Sequence, residues 1–267
     1  MHIHPKKSLG QNFLTDPSYV QKIADAAVLT RDDQVLEIGP GLGHLTVELA
    51  ARAGKVLAVE LDDRVLPVLR ERFAGDPHVE LRQGDAMLYP YESLPGPWKV
   101  VANLPYYIAT PLIQCLLKNR ARFSSITIMV QKEVGERIAA PPGGKEYGYL
   151  SVLVQYYTVP RIAFTVPAGA FTPRPKIDSA VLTLTVRERP AIDVADEEFF
   201  FRVVKAAFSQ RRKTLRNSLG QLGLRPGTLQ EAERRSGIAL SRRAETLSVE
   251  EFGFLAKHLG LPENTPQ

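Results

Sequence analysis

The fold of this 267-residue chain is decided by a short apolar strand that runs into a glycine-rich loop, Val35-Leu36-Glu37-Ile38-Gly39-Pro40-Gly41-Leu42-Gly43. Glycines at such a turn let a ligand approach the backbone closely. The spacing is not the dinucleotide fingerprint, which needs a glycine where this chain has His44. Pro40 also removes a backbone N–H that a pyrophosphate would use. The loop therefore favours S-adenosylmethionine, which has no phosphate, and leaves a nicotinamide dinucleotide as the alternative ligand.

After this loop, further apolar strands alternate with helical patterns. They are predicted at residues 56–60, 79–82, 100–103, 126–130, 152–157 and 181–186. The last of them alternates with period two and is expected to be a hairpin partner. This alternation indicates an α/β fold with a parallel, doubly wound, Rossmann-like sheet. Ligands of such sheets bind beyond the carboxyl ends of the strands.

Two acidic residues stand where the next strands end. Glu60 closes one strand, and a carboxylate there can accept both ribose hydroxyls of a nucleoside. Asp85 closes the following strand and is placed to accept a hydrogen bond from the adenine amine of the cofactor. Either acid alone would be an ordinary loop carboxylate. In order, and together with the glycine loop, they predict a cofactor site.

The segment Asn103-Leu104-Pro105-Tyr106 follows the fourth strand. The exocyclic amine of adenine is a poor nucleophile, because its lone pair is delocalised into the ring. Two acceptors, the Asn103 side-chain oxygen and the Leu104 carbonyl, would favour a pyramidal nitrogen whose lone pair points at a methyl donor. Pro105 would stiffen the turn and Tyr106 would stack on the base. An isolated segment of this kind would be a simple turn; its place after Asp85 favours catalysis by positioning.

These motifs resemble the family of bacterial small-subunit ribosomal RNA adenine N6,N6-dimethyltransferases, the enzymes linked to kasugamycin sensitivity, along nearly the whole chain. Two more segments carry the resemblance, Leu9-Gly10-Gln11-Asn12-Phe13-Leu14 and Phe171-Thr172-Pro173-Arg174-Pro175-Lys176-Ile177-Asp178-Ser179. The resemblance implies a sheet of the class I methyltransferase type with a small, all-helical C-terminal domain. It also implies dimethylation of two adjacent adenines of 16S rRNA with S-adenosylmethionine, during ribosome biogenesis.

The resemblance also implies roles for individual residues. The implied cofactor-binding residues are Asn12, Leu14, Gly39, Gly41, Glu60, Asp85 and Asn103. The implied catalytic residues are Asn103, Leu104, Pro105, Tyr106 and Phe171, with Phe171 stacking on the target base opposite Tyr106. Tyr107 stands where some relatives have a smaller polar residue, a difference that would alter the rim of the pocket.

After Pro190 the pattern changes to helices alone, which predicts two domains: a catalytic domain, 1–188, and a helical RNA-binding domain, 189–267. Seven basic residues and no acid lie between Arg202 and Arg225. A charge run is usually a solvated face, but one of a single sign is better explained by phosphate contacts. Within a predicted basic helix, the expected RNA-binding residues are Arg211, Arg212, Lys213 and Arg216.

Composition narrows the class of protein further. The net charge is +5 and the sequence pI about 9.3, which weakly favours a polyanionic partner. The single cysteine, Cys115, excludes an internal disulfide and fits a reducing, cytoplasmic setting. No apolar run is long enough to span a bilayer, so we expect no membrane partner. The histidines form no cluster, so we expect no metal. We also expect the protein to be a monomer.

Three alternatives stay open. A large-subunit rRNA adenine N6-methyltransferase would share the cofactor motifs, although the segments from Phe171 and from Arg211 favour the small subunit. DNA adenine and protein glutamine methyltransferases usually carry a second proline where this chain has Leu104. A non-catalytic assembly or transcription factor on the same fold would have no need for an intact Asn103 to Tyr106 segment.

Overall fold

The computed structural model of the protein describes residues 11–260, which form nine strands and ten α-helices. The strands are β1 (Phe13–Leu14), β2 (Gln34–Ile38), β3 (Lys55–Glu60), β4 (Val79–Gln83), β5 (Trp98–Asn103), β6 (Phe123–Gln131), β7 (Thr158–Val166), β8 (Phe171–Thr172) and β9 (Ser179–Val186). The helices are α1 (Pro17–Ala26), α2 (His44–Ala50), α3 (Leu66–Arg72), α4 (Ala109–Lys118), α5 (Lys132–Ala139), α6 (Tyr149–Tyr157), α7 (Glu197–Ala207), α8 (Leu215–Leu219), α9 (Thr228–Ser236) and α10 (Val249–Leu259).

Seven strands form one mixed sheet in the order β4-β3-β2-β5-β6-β9-β7. Neighbours from β4 to β6 are parallel, and β9 is antiparallel to β6. The strand order reverses between β2 and β5, and the carboxyl ends beside such a reversal form the ligand crevice of doubly wound sheets. The predicted α/β class and six of the predicted strands are therefore confirmed.

The central strands are buried on both faces, as helices on both sides of a parallel sheet require. Every residue of β2 and β3 after the first is buried. Such strands have no polar face, so they appear in the sequence as continuous apolar runs. A charged residue inside one of them is therefore a signal, and Glu37 lies inside β2.

The strand predicted at 152–157 is wrong, because these residues form the second half of α6. Seven of the nine residues of α6 are buried. A helix covered on nearly every side shows no 3.6-residue period, and its valines and tyrosines imitate a buried strand. Periodicity could not have separated the two structures here.

A two-stranded ladder ties the two ends of the catalytic sequence together. β1 pairs with β8 antiparallel, with Leu14 opposite Phe171 and Phe13 opposite Thr172. The backbone N–H groups of Thr15 and Asp16 continue the contact by donating to the Ala170 carbonyl at 3.0 and 3.3 Å. The segment from Gln11 to Leu14 is thereby held beside the glycine loop.

The described residues fall into two compact units, 11–136 with 159–186, and 137–158 with 187–260. The division predicted from sequence, 1–188 and 189–267, differs from these units in the placement of residues 137–158 and of residues 187–188. Residues 137–158 contain α6, whose Tyr156 stacks on Phe200 of α7 with ring centroids 4.8 Å apart. Aromatic packing between segments far apart in sequence gives no local signal, so it could not be predicted from composition.

The predicted basic helix is interrupted. α7 ends at Ala207 and α8 begins at Leu215, so Arg211, Arg212 and Lys213 lie in the turns between them. α9 begins at Thr228 and is preceded by Gly227, which takes the cap position with φ of +86°. α10 begins with a capping box of Ser248 and Glu251, in which the Ser248 hydroxyl accepts from the Glu251 N–H at 3.2 Å.

Candidate active site

An open cleft with about 870 Å³ of empty space lies at the carboxyl ends of β2, β3, β4 and β5. Nine residues that the sequence predicts to bind cofactor or catalyse transfer line it: Asn12, Gly39, Gly41, Glu60, Asp85, Asn103, Leu104, Pro105 and Tyr106. Parallel strands bring their carboxyl ends to one edge, which explains why Gly39 and Tyr106, 67 positions apart, meet here. Asn12 reaches the cleft by a different route, through the β1–β8 ladder. Much of the remaining wall is apolar, with Ile38, Val59 and Leu112 among its residues.

The glycine loop gives the cleft its floor. Gly39 and Gly41 have φ of +68° and +55°, a region that only glycine enters without strain. A Cβ on Gly41 would lie 3.1 Å from the ring of Phe13, which already presses on the loop. The Gly39 N–H donates to the Val59 carbonyl at 2.9 Å and ties the turn to β3. The loop is thus fixed in a shape that leaves backbone exposed to a ligand.

Glu60 anchors the acidic side of the cleft. Its Oε2 accepts the Gly41 N–H at 3.0 Å, and its Oε1 accepts the Asp62 N–H at 2.9 Å. The residue is 6% exposed, and this burial raises the pKa of its carboxyl group, with the nearby Asp62 charge acting in the same direction. Each oxygen retains acceptor capacity, so the carboxylate can accept two further hydroxyl donors.

Asp85 lines the same cleft after β4. Its Oδ1 accepts the Met87 N–H at 2.8 Å, which holds the loop in an Asx turn. The hydroxyl of the buried Tyr91 donates to the Ala86 carbonyl at 2.6 Å and fixes the same loop from below. Asp85 is therefore held in place with one carboxylate oxygen engaged by the backbone.

Asn103 is oriented by the N-terminal segment. Its Nδ2 donates a long hydrogen bond, 3.4 Å, to the Asn12 carbonyl. With the amide nitrogen turned to Asn12, the Oδ1 atom is the acceptor that the side chain presents elsewhere. Leu104 is held as firmly, because its N–H donates to the Met129 carbonyl of β6 at 3.1 Å. The Asn103 side chain and the Leu104 backbone are therefore each held by a hydrogen bond to another part of the chain.

Tyr106 lines the cleft with its ring and is fixed at its far end. Its hydroxyl lies 2.7 Å from the Oγ of Ser179, the first residue of β9, which is fully buried. Burial raises the pKa of the Tyr106 hydroxyl, so the group stays neutral. A ring held in this way can serve as a flat surface for a base.

Two predicted site residues do not line the cleft. Leu14 lines a smaller neighbouring cavity of about 400 Å³, which shares Gly39, Gly41 and Asn103 with the cleft. Its carbonyl oxygen lies 3.2 Å from the His44 Nδ1. Phe171 is 3% exposed and packs in the core with Leu14. The structure does not bring Phe171 to the cleft, so its stacking on the target base stays a prediction.

Sequence reasoning missed Glu37, which lines the smaller cavity. The residue is 1% exposed, and its Oε2 has no hydrogen-bond partner among the described residues. Burial raises the pKa of Glu37 to about 8, and the charge of Glu60 adds to the rise. The available signal was a carboxylate inside the apolar strand before the glycine loop.

We expect Glu37→Gln to stabilise the ligand-free protein increasingly as the pH rises. The Glu37 pKa is about 8 in the folded chain, against an ordinary 4.5, so folding favours the protonated acid. The parent therefore loses stability as the pH rises from about 5 to about 8, and an uncharged amide does not. Thermal unfolding at pH 5 and at pH 8.5 should show the melting temperature of the variant gaining a few degrees on the parent.

Glu71→Gln is the matched control for that experiment. It makes the same chemical change at an exposed position of α3. If the gain in melting temperature is equal at both pH values, or if Glu71→Gln reproduces it, the pKa of Glu37 is not raised in the folded chain.

A hydrogen bond that the sequence did not reveal links the N-terminal segment to Asp62, just after β3. Gln11 Nε2 donates to Asp62 Oδ2 at 2.9 Å, and Asp62 also accepts from Arg64 Nε and Nη2. These hydrogen bonds from Arg64, with the one from Gln11, lower the pKa of Asp62 to about 2. The segment that orients Asn103 is thereby held at the acidic side of the cleft as well.

The predicted RNA-binding residues belong to the other unit of the chain and are all exposed. Arg211 donates to the Lys145 carbonyl at 2.6 Å, which fixes the turn after α7. Arg216 pairs with Glu233, so part of its charge is neutralised within the unit. Arg212 and Lys213 form no ion pair with any residue between 11 and 260. Among the four predicted RNA-binding residues, the charge that no acid neutralises therefore lies at 211–213.

Residues 11–260 contain neither a metal-binding cluster nor a membrane-spanning helix. Residues 11–260 contain no group of three or more His, Cys, Asp or Glu side chains that could hold a metal ion. No helix within the same range has the length and apolar character that crossing a membrane requires.

Fold and site together define a methyltransferase of class I, in which the glycine loop, the two acids and the segment after β5 share one cleft. A model of the ribosomal RNA adenine dimethylase family matches residues 3–259. The chain belongs to this family. The resemblance noted in the sequence is thereby confirmed.

Individual relatives agree with this assignment. The chain is 51% identical to the ribosomal RNA small subunit methyltransferase A of Moorella thermoacetica, over 96% of this chain and 92% of the relative. It is 48% identical to the protein of the same name from Geobacter sulfurreducens, over 96% of both chains. Its structure is similar to that of a dimethyladenosine transferase from Plasmodium falciparum, with TM-score 0.76, 27% identity and coverage of 91% and 95%. It is also similar to the 23S rRNA methyltransferase ErmE, with TM-score 0.74, 27% identity and coverage of 93% and 99%.

Proposed function

We propose that this protein transfers methyl groups from S-adenosylmethionine to the N6 amines of two adjacent adenines in small-subunit rRNA. One observation carries the proposal: Asn103, held by the Asn12 carbonyl, and Leu104, held by β6, stand in a cleft that also contains Glu60 and Asp85. This arrangement provides acceptors for an amine beside acceptors for a nucleoside.

The residues of the cleft fit the cofactor. The Glu60 carboxylate would accept the ribose hydroxyls, and Asp85 would accept from the adenine amine. The glycine loop leaves room for the ligand against bare backbone, since nothing lies within 4 Å of a Cβ built on Gly39. The Glu37 carboxyl in the adjoining cavity, whose Oε2 has no hydrogen-bond partner among the described residues, suits the ammonium group of the methionine tail. The cofactor, when bound, supplies a methyl group on a positively charged sulfur.

The chain's own residues would act by position. The Asn103 Oδ1 and the Leu104 carbonyl oxygen accept the two N–H bonds of the target amine, so that its lone pair points away from the ring plane. Tyr106 supports the base by stacking, and Pro105 fixes the turn between them. The amine releases one proton to water with each transfer. No strong base is needed, which agrees with a site built from amide, carbonyl and ring.

The choice of small-subunit over large-subunit rRNA rests on the degree of similarity. Relatives named for the small subunit are 48–51% identical over nearly the whole chain, whereas the structure named for 23S rRNA is 27% identical. A non-catalytic role on the same fold is less favoured, because the acceptors after β5 are both present and both held.

The decisive experiment measures labelled methyl transfer to small-subunit particles, naked small-subunit rRNA, large-subunit rRNA and DNA. We expect transfer to small-subunit rRNA or its particles, with dimethyladenosine at two neighbouring positions by mass spectrometry. Transfer confined to large-subunit rRNA or DNA would redirect the assignment, and no transfer to any of them would refute an enzymatic role.

We further propose that Arg211, Arg212 and Lys213 contact RNA phosphates. We expect Arg211→Glu with Arg212→Glu to weaken RNA binding and to reduce the slope of log affinity against log salt, by about 0.7–0.9 for each phosphate that is no longer neutralised. Filter binding at several salt concentrations measures both quantities.

Arg189→Glu with Lys257→Glu is the control, because both are exposed cations of the same unit without an ion pair inside 11–260. If the two double variants change the slope equally, the segment 211–213 is an ordinary solvated face.

A further inference from the structure

Tyr107 is the aromatic residue at the mouth of the cleft that the mechanism does not use. It lines the cleft next to Tyr106, yet it is 57% exposed. No residue within 11–260 forms a hydrogen bond with its hydroxyl, whereas the Tyr106 hydroxyl is held by Ser179. An exposed, unpartnered ring contributes little to the fold, but it offers a flat face beside the reacting base.

The loop 173–178 begins and ends next to residues that line the cleft, Phe13 and Tyr106, and is anchored at both ends. At its start, Thr172 pairs with Phe13 in the β1–β8 ladder. At its end, the Asp178 carbonyl accepts the Lys132 N–H at 3.0 Å, and Ser179 contacts the Tyr106 hydroxyl. Ser179 is also opposite Gln131, the last residue of β6, so the loop leaves the sheet at the edge where the cleft opens.

The loop presents two free cations. Arg174 and Lys176 are both exposed, and neither forms an ion pair within the part of the chain that the structure describes. The acid of the loop, Asp178, turns one oxygen to the Ala168 N–H at 2.9 Å. Unneutralised cations on a loop that leaves the sheet at the edge where the cleft opens suit the phosphates of a nucleic acid strand whose base has entered the cleft.

We propose that this rim is a second nucleotide subsite, in which Tyr107 stacks on the base next to the target adenine while Arg174 and Lys176 hold the adjoining phosphates. The inference rests on the proposed function, since it needs an RNA strand that places one adenine in the cleft. Stacking on an aromatic ring and charge contacts with phosphates are the two interactions that proteins use to hold single-stranded nucleic acid.

The subsite would explain how one cleft can methylate two neighbouring adenines. While one adenine lies on Tyr106 with its amine at Asn103, the next base is unpaired and needs a surface outside the cleft. Tyr107 follows Tyr106 directly in the chain, as one adenine follows the other in the substrate. Tyr107 is a positioning residue in this scheme, because it does not touch the reacting amine.

The first test compares Tyr107→Ala with Tyr107→Phe in methyl transfer to small-subunit rRNA. We expect the alanine variant to raise KM for RNA about 10-fold, with a smaller effect on kcat, because the base has no ring to stack on. The phenylalanine variant should behave as the parent, since the ring remains and the hydroxyl has no partner. If Tyr107→Phe raised KM for RNA as much as Tyr107→Ala does, stacking on the ring would be refuted.

The second test measures RNA binding by Arg174→Ala with Lys176→Ala as a function of salt. We expect the slope of log affinity against log salt to fall by about 1.4, at about 0.7 for each single-strand phosphate contact. The control is Arg70→Ala with Lys118→Ala, an exposed Arg and Lys of the same unit without ion pairs among residues 11–260. Lys118 ends α4, which begins after Tyr107 and carries it about 15 Å away.

The two proposals fail in different ways. If the parent transfers no methyl group to any RNA, the proposed function is wrong and the subsite falls with it. If the parent is active while the alanine variant matches it in KM and the loop variant matches its control in salt slope, the subsite alone is wrong.

Discussion

Asn103→Ala is expected to lower kcat for methyl transfer by about 100- to 1,000-fold, the loss typical of removing one preorganised hydrogen-bonding group from a transition state. The variant removes the Oδ1 acceptor and also the hydrogen bond to the Asn12 carbonyl. Cofactor affinity should change much less, because Glu60, Asp85 and the glycine loop remain. Single-turnover kinetics with saturating rRNA, together with calorimetry of cofactor binding, measure the two quantities separately.

Asn119→Ala is the matched control. Asn119 also donates from its amide to a backbone carbonyl, that of Cys115 at 3.0 Å, but it lies at the far end of α4. Its variant should lose stability of the same kind without losing turnover. Normal turnover by Asn103→Ala would refute the assignment of Asn103 as an acceptor for the amine.

Glu60→Ala is expected to weaken cofactor binding about 100-fold, equivalent to about 3 kcal/mol. The change removes the acceptor for ribose and leaves the Gly41 and Asp62 N–H groups without their present partner. The loop that forms the floor of the cleft therefore loosens at the same time. Calorimetry measures the affinity, and turnover at saturating cofactor should recover part of the lost rate.

The pH dependence of that affinity follows from the same carboxylate. Burial raises the Glu60 pKa, so the group takes up a proton at a higher pH than an ordinary glutamate. Accepting two hydroxyl hydrogens requires the ionised form, so the affinity of the parent should fall as the pH is lowered through the raised pKa. The alanine variant should lack this fall.

Glu80→Ala controls for loss of a carboxylate on the neighbouring strand. Glu80 pairs with Lys55 at 2.9 Å and with Arg82 at 2.6 Å, outside the cleft. Its variant should bind the cofactor as the parent does. Unchanged affinity in Glu60→Ala would remove this residue from the cofactor site.

The sequence was enough to predict those residues of the site that lie at strand ends. Glu60, Asp85 and Asn103 each follow an apolar run, and parallel strands must bring such positions to one edge. Glu37 was as visible, as an acid within an apolar run, but its meaning depended on a burial that the sequence does not reveal. Phe171 shows the opposite case, since its motif indicates a role in the site while its side chain packs in the core.

The pattern of apolar residues did not predict the structure where an element is buried on most sides, or where segments far apart in sequence make contact. α6 is buried on nearly all sides, so its residues carried no helical period. The β1–β8 ladder joins residues more than 150 positions apart, and the bond from Gln11 to Asp62 spans 51. Neither contact leaves a periodic trace in the chain, because each is made by a few residues whose partners are remote.

The amino-acid sequence by itself determined the α/β class, the family and the groups that meet at the carboxyl edge of the sheet. Apolar runs and motif residues are local features of a chain, and strands that alternate with helices form a parallel sheet. The tertiary structure alone decided which way those groups face. It leaves the Asn103 oxygen free by engaging the nitrogen, packs Phe171 in the core, buries Glu37 with an Oε2 that has no partner among the described residues, and leaves Tyr107 exposed. Orientation and burial are set by contacts between distant segments, and such contacts exist only once the chain has folded.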